Sequence, residues 1–246
     1  MVLSVVIPLH NEVEAVPALV ARLRRFVAAS DRPVELIVVD DGSTDGTYEK
    51  LQGRDPLDLV VVRHAHNRGL TAALWTGLGA SRGALVAWLD GDLTYDPDLL
   101  LQLAAQVDAG ADVALASCYH PSGSVEGVEG WRLLLSRTAS LAYRLGSGHR
   151  LCTFTSMVRV YRREVLDAGE PRRGGFLGVT EVLLRALRQG YRVVEVPATL
   201  SRRRVGQSKM RIVRVSLAHV GLFADCVWQR LRPGPRPAPR GRPARP

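Results

Sequence analysis

The chain has 246 residues, 46% of them apolar, which allows one large domain or two small ones around a real core and argues against global disorder. Its formal charge of +9 is lopsided: residues 201–246 carry 12 Lys/Arg and a single acid, Asp225, while residues 1–200 carry 21 Lys/Arg against 23 acids. The 3 cysteines, Cys118, Cys152 and Cys226, have neither metal-knuckle nor C-x-x-C spacing, so the chain reads as reduced rather than disulfide-stapled, and no run reaches the ~18 apolar residues that cross a bilayer.

The N-terminus, MVLSVVIPLHNE, lacks a basic region and a cleavage site, and reads as a first strand rather than a signal peptide. Short β-branched runs at 2–7, 34–39, 59–62, 85–89 and 113–116 predict strands, and helical patterns at 13–29, 44–51, 71–81 and 97–109 alternate with them. Asp96-Pro97 has the form of an N-cap followed by proline at the first helical position. Strands alternating with helices predict an α/β fold, a mainly parallel sheet with helices on both faces. After Ser117 the pattern loosens. A Gly/Ser/Pro-rich loop at 119–130 leads to an amphipathic helix at 131–145 that carries Arg132, Arg137 and Arg144. Strands at 158–161 and 193–196 flank a helix at 179–189. Residues 209–231 are apolar on one side and basic on the other, and 233–246 is a Pro/Arg tail of low complexity.

Ligands of open α/β sheets bind outside the carboxyl ends of the strands. Three polar clusters fall there: Pro8-Leu9-His10-Asn11-Glu12, then Asp40-Asp41-Gly42-Ser43, then Asp90-Gly91-Asp92. Two acids one residue apart at the end of LVAWL can hold a hard divalent cation arriving with a diphosphate, since Mg²⁺ favours one or two carboxylates plus phosphate oxygens. The plain alternative is an acidic turn. Acids after the second strand can accept hydrogen bonds from a base or ribose, and Ser43 or Thr44 can cap the next helix; both can hold at once. Arg203-Arg204-Val205-Gly206-Gln207-Ser208-Lys209 suits phosphate, or is a solvated charge run. Glu181, on a helix after Gly174-Gly175-Phe176, is by itself a surface glutamate, and the 6 histidines form no metal pattern.

Taken in order, VVIPLHNE, VVDDGSTDGT, HNRGLTAALWTGL, LDGDLTYDP and RRRVGQSKM resemble glycosyltransferase family 2, with its GT-A (Rossmann-like) fold, and within it the dolichol-phosphate mannose synthase group of polyprenyl-phosphate sugar synthases. The resemblance runs from Val2 to about Met210 and implies a metal-dependent hexosyltransferase. A hexose would pass from a nucleotide sugar, GDP-mannose or UDP-glucose, to a polyprenyl or dolichyl phosphate with inversion. It implies that Pro8, Asn11, Glu12, Asp40 or Asp41, and Asp90 hold the nucleotide sugar; that Asp90 and Asp92 bind Mg²⁺ or Mn²⁺; and that Arg137, Arg203, Ser208 and Lys209 hold acceptor phosphate. Asp92, Glu181, Arg203 and Lys209 are the implied catalytic set. Four positions depart from the family's usual pattern: Thr94, Cys118, Thr153 and Met157.

A phosphate acceptor suits these residues. With a second pKa about 6, a phosphate monoester is already largely dianionic at neutral pH and needs charge compensation rather than a general base. The expected organisation is a GT-A domain over 1–208, a C-terminal amphipathic membrane-associating helix over 209–232, and a disordered tail over 233–246. The expected location is cytoplasmic, peripheral at the inner face of the membrane, with a separate membrane-protein partner as a further option. The alternatives are a family 2 transferase with a non-lipid acceptor and a non-catalytic nucleotide-binding homologue. No nucleic-acid module accompanies the basic tail, so nucleic acid is not an expected partner.

Overall fold

The computed structural model describes residues 1–52, 57–202 and 212–231. The first half alternates as expected: β1 (Leu3–Leu9), α1 (Val16–Ala29), β2 (Val34–Asp40), α2 (Thr47–Leu51), β3 (Leu59–Arg63), α3 (Leu70–Ala80), β4 (Leu85–Trp88), α4 (Leu99–Asp108) and β5 (Val113–Ser117). The second half runs β6 (Ser124–Glu126), α5 (Gly130–Ser147), β7 (Arg159–Arg162), α6 (Arg163–Leu166), α7 (Gly175–Arg188), β8 (Val193–Pro197), β9 (Thr199–Ser201) and α8 (Ile212–Leu231).

Seven strands form one sheet in the order β3-β2-β1-β4-β7-β5-β8. β7 alone runs antiparallel, seated between β4 and β5 with Trp88 opposite Arg159. The order reverses direction at β1, which has β2 on one side and β4 on the other, so a crevice opens beyond the carboxyl ends of β1 and β4. β6 and β9 pair parallel as a small second sheet.

Two cores sandwich the main sheet. Leu19, Leu23 and Phe26 of α1 pack with Leu100, Leu103 and Val107 of α4 on one face. Ala73 and Leu74 of α3 pack with Val179, Val182 and Ala186 of α7 on the other, around Trp88 and Tyr161. A third cluster joins Tyr143 of α5, Leu183 and Leu187 of α7, and Leu222 of α8. Strands buried on both faces explain the continuous apolar runs of the sequence.

Three helices begin later than their sequence pattern suggests, α1 at Val16 being the first. α4 starts at Leu99 because the Asp96 carboxylate accepts the Asp98 N–H (3.0 Å) and pairs with Arg22, which holds Asp96-Pro97 in a turn. α2 starts at Thr47 because residues 43–46 fold back onto the end of β1.

Candidate active site

Register places the first two polar clusters side by side, Leu9 opposite Asp40, with the Asp41 N–H donating to the Leu9 carbonyl at 2.8 Å. Side chains then lace the two loops together. Asn11 has a left-handed backbone (φ 54°), which asparagine tolerates. Its N–H donates to Ser43 Oγ (2.8 Å), and its Oδ1 accepts the Thr44 N–H (2.8 Å). The Glu12 N–H donates to Thr47 Oγ1 (2.8 Å), and Asp45 accepts the Val13 and Thr47 N–H groups. These bonds to its charged form hold the Asp45 carboxyl below its ordinary value against the opposing effect of burial, which is the largest single influence.

Asp40 and Asp41 are both buried. Asp40 accepts the Ser43 N–H (3.3 Å) and lies 3.4 Å from Arg63 Nε; Arg63 also stacks on Tyr48. Asp41 accepts the N–H groups of Arg68 and Gly69 (both 2.8 Å) and lies 2.7 Å from His64 Nδ1. The pair therefore braces the loops that leave β2 and β3. His64 is part of this scaffold.

On the other side of β1, the Leu89 N–H donates to the Val6 carbonyl, and the chain turns out of the sheet through Asp90-Gly91-Asp92. A Cβ at Gly91 would lie 2.1 Å from Leu9 Cδ2, so a larger residue would have to push the buried Leu9 side chain aside for this turn to press against β1. Asp92 Oδ1 accepts the Thr94 N–H (3.1 Å), and Leu93 between them has φ 57°, a rare conformation for leucine that marks a constrained turn. Both carboxylates open into a cavity of about 520 Å³. Two hard oxygen donors fit Mg²⁺ or Mn²⁺, which take phosphate oxygens beside one or two carboxylates, and no group of three or more His, Cys, Asp or Glu among the described residues offers a zinc-type cage.

The rest of that cavity is largely apolar. Its walls are the cavity-facing residues of α5, including Leu133, Leu135, Ala139 and Ala142, with Val220 and Phe223 of α8, Phe176 and Met157. Its polar groups, besides the acids, include Arg132 and Ser136 of α5. Ser136 Oγ lies 2.8 Å from Thr155 Oγ1, and Arg132 pairs with Glu129 (2.9 Å) and lies over Trp131. Arg132 and Ser136 were not singled out as site residues in the sequence. Their spacing of one helical turn, shared with the helix's apolar residues, was the available signal.

The sequence-predicted residues do not all meet here. Arg137 lies over the Tyr119 ring at 5.1 Å and lines a second, smaller cavity; Cys118 and Tyr119 line both. Glu181 lines neither cavity, and its carboxylate accepts the N–H groups of Arg172 (3.0 Å) and Arg173 (2.9 Å). Arg173 in turn pairs with Asp225 of α8, so Glu181 steadies the loop that ties α7 to α8. Arg203, Ser208 and Lys209 lie outside the described residues. The chain leading to them is anchored beside the acidic turn, because the Ser201 N–H donates to the Thr94 carbonyl (2.9 Å).

The departures have local reasons. Thr153 is buried; its hydroxyl shares a hydrogen bond with Ser117 (2.7 Å), and its N–H and that of Cys152 donate to the Glu195 carboxylate. A second carboxylate there would face Glu195. Cys118 is buried next to the Tyr95 hydroxyl, and burial pushes its thiol up, so it is a neutral wall. Arg159 is fully buried and donates to the carbonyls of Phe154 (2.8 Å) and Val179 (2.7 Å), orienting the loop that carries Thr155, Ser156 and Met157.

A Rossmann-like sheet with an acid pair at the switch point and a cavity running from it defines a GT-A glycosyltransferase architecture. The glycosyl transferase family 2 model matches residues 4–169, and the chain belongs to that family. It is 37% identical over 215 residues to a polyprenol monophosphomannose synthase of Mycolicibacterium smegmatis, covering 84% of this chain and 80% of the relative. It is 34% identical to an undecaprenyl-phosphate mannosyltransferase of Micrococcus luteus, covering 92% and 96%. A dolichol-phosphate mannosyltransferase of Pyrococcus furiosus is 31% identical, and the match spans 86% of this chain but 60% of that protein. Among solved structures, the fold matches a mannosyltransferase from Pyrobaculum calidifontis in complex with GDP-mannose and Mn²⁺, with TM-score 0.64, 21% identity and coverage of 96% and 65%.

Proposed function

We propose that the chain transfers a hexose from a nucleoside-diphosphate sugar to a polyprenyl phosphate, inverting the anomeric carbon. The observation that carries this reading is the shape of the larger cavity: it starts at two carboxylates and continues as an apolar passage between α5 and α8. A phosphate joined to a prenyl chain has that same polar-to-apolar order. The names of the relatives support the same acceptor class.

In this reading the laced loops at 10–12 and 40–47 receive the nucleoside. Pro8, Asn11 and Glu12 form its rim, and Asp40 and Asp41 act through the loops they hold. Asp90 and Asp92 would hold Mg²⁺ or Mn²⁺, which neutralises charge on the departing diphosphate when bound. An oxygen of the acceptor phosphate attacks the anomeric carbon, and the bond to the diphosphate breaks on the opposite face. No side chain need remove a proton, because the acceptor is already anionic. Arg132 and Ser136 hold the acceptor phosphate from α5, and Arg203, Ser208 and Lys209 bring further charge from the loop that begins beside Thr94. Apolar walls exclude water, which would otherwise compete for the sugar. The acceptor is a membrane lipid and the donor a soluble nucleotide, so the enzyme works peripherally at the cytoplasmic membrane face. No helix among the described residues is long and apolar enough to cross a bilayer.

The test is label transfer from GDP-mannose and UDP-glucose to polyprenyl phosphate in detergent, read in the organic phase. Metal-dependent counts that fall at least a hundredfold in Asp92→Ala are expected. Counts confined to a water-soluble acceptor would overturn the lipid reading.

A further inference from the structure

The segment Thr153-Phe154-Thr155-Ser156-Met157 carries hydroxyls on Thr153, Thr155 and Ser156, and all three residues line the larger cavity together with Met157. Two of these hydroxyls are taken. Thr153 Oγ1 lies 2.7 Å from Ser117 Oγ, and Thr155 Oγ1 lies 2.8 Å from Ser136 Oγ. The third is open: Ser156 is 8% exposed, its Oγ is buried, and no group is in hydrogen-bonding geometry with it. The Tyr95 hydroxyl, which also faces Cys118, lies beside it without closing that bond. A buried hydroxyl without a partner is destabilising, and native structures keep few of them.

The backbone around Ser156 is not free to move and cure the defect. The Cys152 and Thr153 N–H groups donate to the Glu195 carboxylate (2.7 and 2.8 Å), the Phe154 N–H donates to Ser140 Oγ (3.2 Å), and the Phe154 carbonyl accepts Arg159 Nη2 (2.8 Å). Beyond Ser156, Met157 and Val158 are buried and β7 begins at Arg159. A hydroxyl fixed in this way and left open is a preorganised contact for a ligand. The neighbours indicate its chemistry. Tyr95, Cys118 and Met157 are uncharged, which suits a neutral hydroxyl that both donates and accepts. Asp90 and Asp92 line the same cavity, so the open hydroxyl shares a space with the acids assigned to the donor diphosphate. Thr94, Cys118, Thr153 and Met157, the four departures from the family's usual pattern, line it too, so this wall is where the chain is individual.

We propose that Ser156 Oγ hydrogen-bonds a hydroxyl of the donor's sugar, and so selects donors that keep this hydroxyl over their deoxy counterparts. A site built to bond a substrate hydroxyl rejects the analogue lacking it, because the protein group is again left unpaired. The inference rests on the proposed function for the presence of a nucleotide sugar in this cavity, but not for the nature of the acceptor. It makes Ser156 a specificity residue that trades stability of the empty protein for recognition of the filled one.

The experiment is calorimetric binding to the full chain with Mn²⁺ and no acceptor. The ligands are GDP-mannose and UDP-glucose, GDP and UDP, and the deoxy analogues of whichever sugar binds. Ser156→Ala should weaken the nucleotide sugar about tenfold, the loss of one hydrogen bond, and leave the bare nucleoside diphosphate unchanged. For wild type, one deoxy analogue should bind about tenfold more weakly than the full sugar, and the variant should bind the two alike. Without ligand, the variant should melt about 2–4 °C higher, because its unpaired hydroxyl is gone. Ser156→Cys, similar in size with a weaker donor, should fall between the two proteins in sugar affinity, and it carries the test if the alanine variant folds poorly. Equal losses for nucleotide sugar and nucleoside diphosphate would make Ser156 a structural residue and overturn the contact. So would unchanged affinity for both, or deoxy penalties that are the same in wild type and variant. Sugar binding that depends on Ser156, with no label passed to polyprenyl phosphate, would sink the acceptor reading and leave this inference standing. Transfer to the lipid with sugar affinity indifferent to Ser156 would do the reverse.

Discussion

Asp40 and Asp41 look interchangeable in sequence but differ in what they hold. The Asp41 carboxylate takes two backbone N–H groups and faces His64, so it organises the start of α3. Asp41→Asn offers one acceptor oxygen in place of two and turns an NH₂ toward a donor. It should cost about 2–3 kcal/mol of unfolding free energy, the loss of a charge-assisted bond in a buried site, measured by urea titration. Arg132 reaches solvent and the cavity together, so its loss should leave the fold intact. Arg132→Ala is expected to raise the acceptor KM about tenfold, the equivalent of one charged hydrogen bond, with the donor KM little changed. Steady-state kinetics against each substrate in turn separates the two effects. The position of the acids at the strand ends was legible in the sequence because strand ends are easily found and polar residues there stand out against an apolar run. Arg132 was not, because an arginine on a helix acquires its meaning only when α8 packs alongside and closes a cavity over it.

At the level of elements, the contact between α5 and α8 depends on Gly146. A Cβ there would come within 2.8 Å of the Phe223 ring, and Gly148 lies close under Arg230, whose Nη1 donates to the Leu145 carbonyl. Gly146→Val should overpack this contact and cost about 1–3 kcal/mol, seen as a lower thermal midpoint. It should also widen the apolar passage, so acceptor chain-length preference should change with it. Long alternating elements were visible from periodicity. The short ones, β6, β9 and α6, were not, because three or four residues carry no period and their pairing is tertiary. β7 was found as a strand, but its antiparallel direction leaves no mark on a run of buried apolar residues.

Over the whole molecule, stability should depend on acidity through groups far apart. His219 lies 2.8 Å from the Tyr143 hydroxyl, and burial lowers its pKa from the ordinary 6.5. The unfolded chain therefore protonates first. Stability is full above pH 6.5 and is lost as pH falls from there through the folded value. Glu35 is held below 4.5 and Asp45 below 3.8, largely by hydrogen bonds outweighing burial, so further losses follow at lower pH with the same sign. Thermal midpoints measured downward from pH 7.5 should begin to fall near pH 6.5 in the wild type, and that first fall should flatten in His219→Gln. A midpoint constant down to pH 5 in both proteins would remove His219 from the account.

The seating of β7 between β4 and β5 has a consequence for how such chains diversify. To reach its place the polypeptide leaves the sheet at Ser117 and returns at Arg159, and everything between hangs outside as one excursion that includes α5. In the proposed reading the nucleotide side is complete by Thr94. A lineage could exchange the excursion for another and inherit the nucleotide machinery untouched, so that the carrier an enzyme reads and the groups it joins are written on separate stretches of one gene.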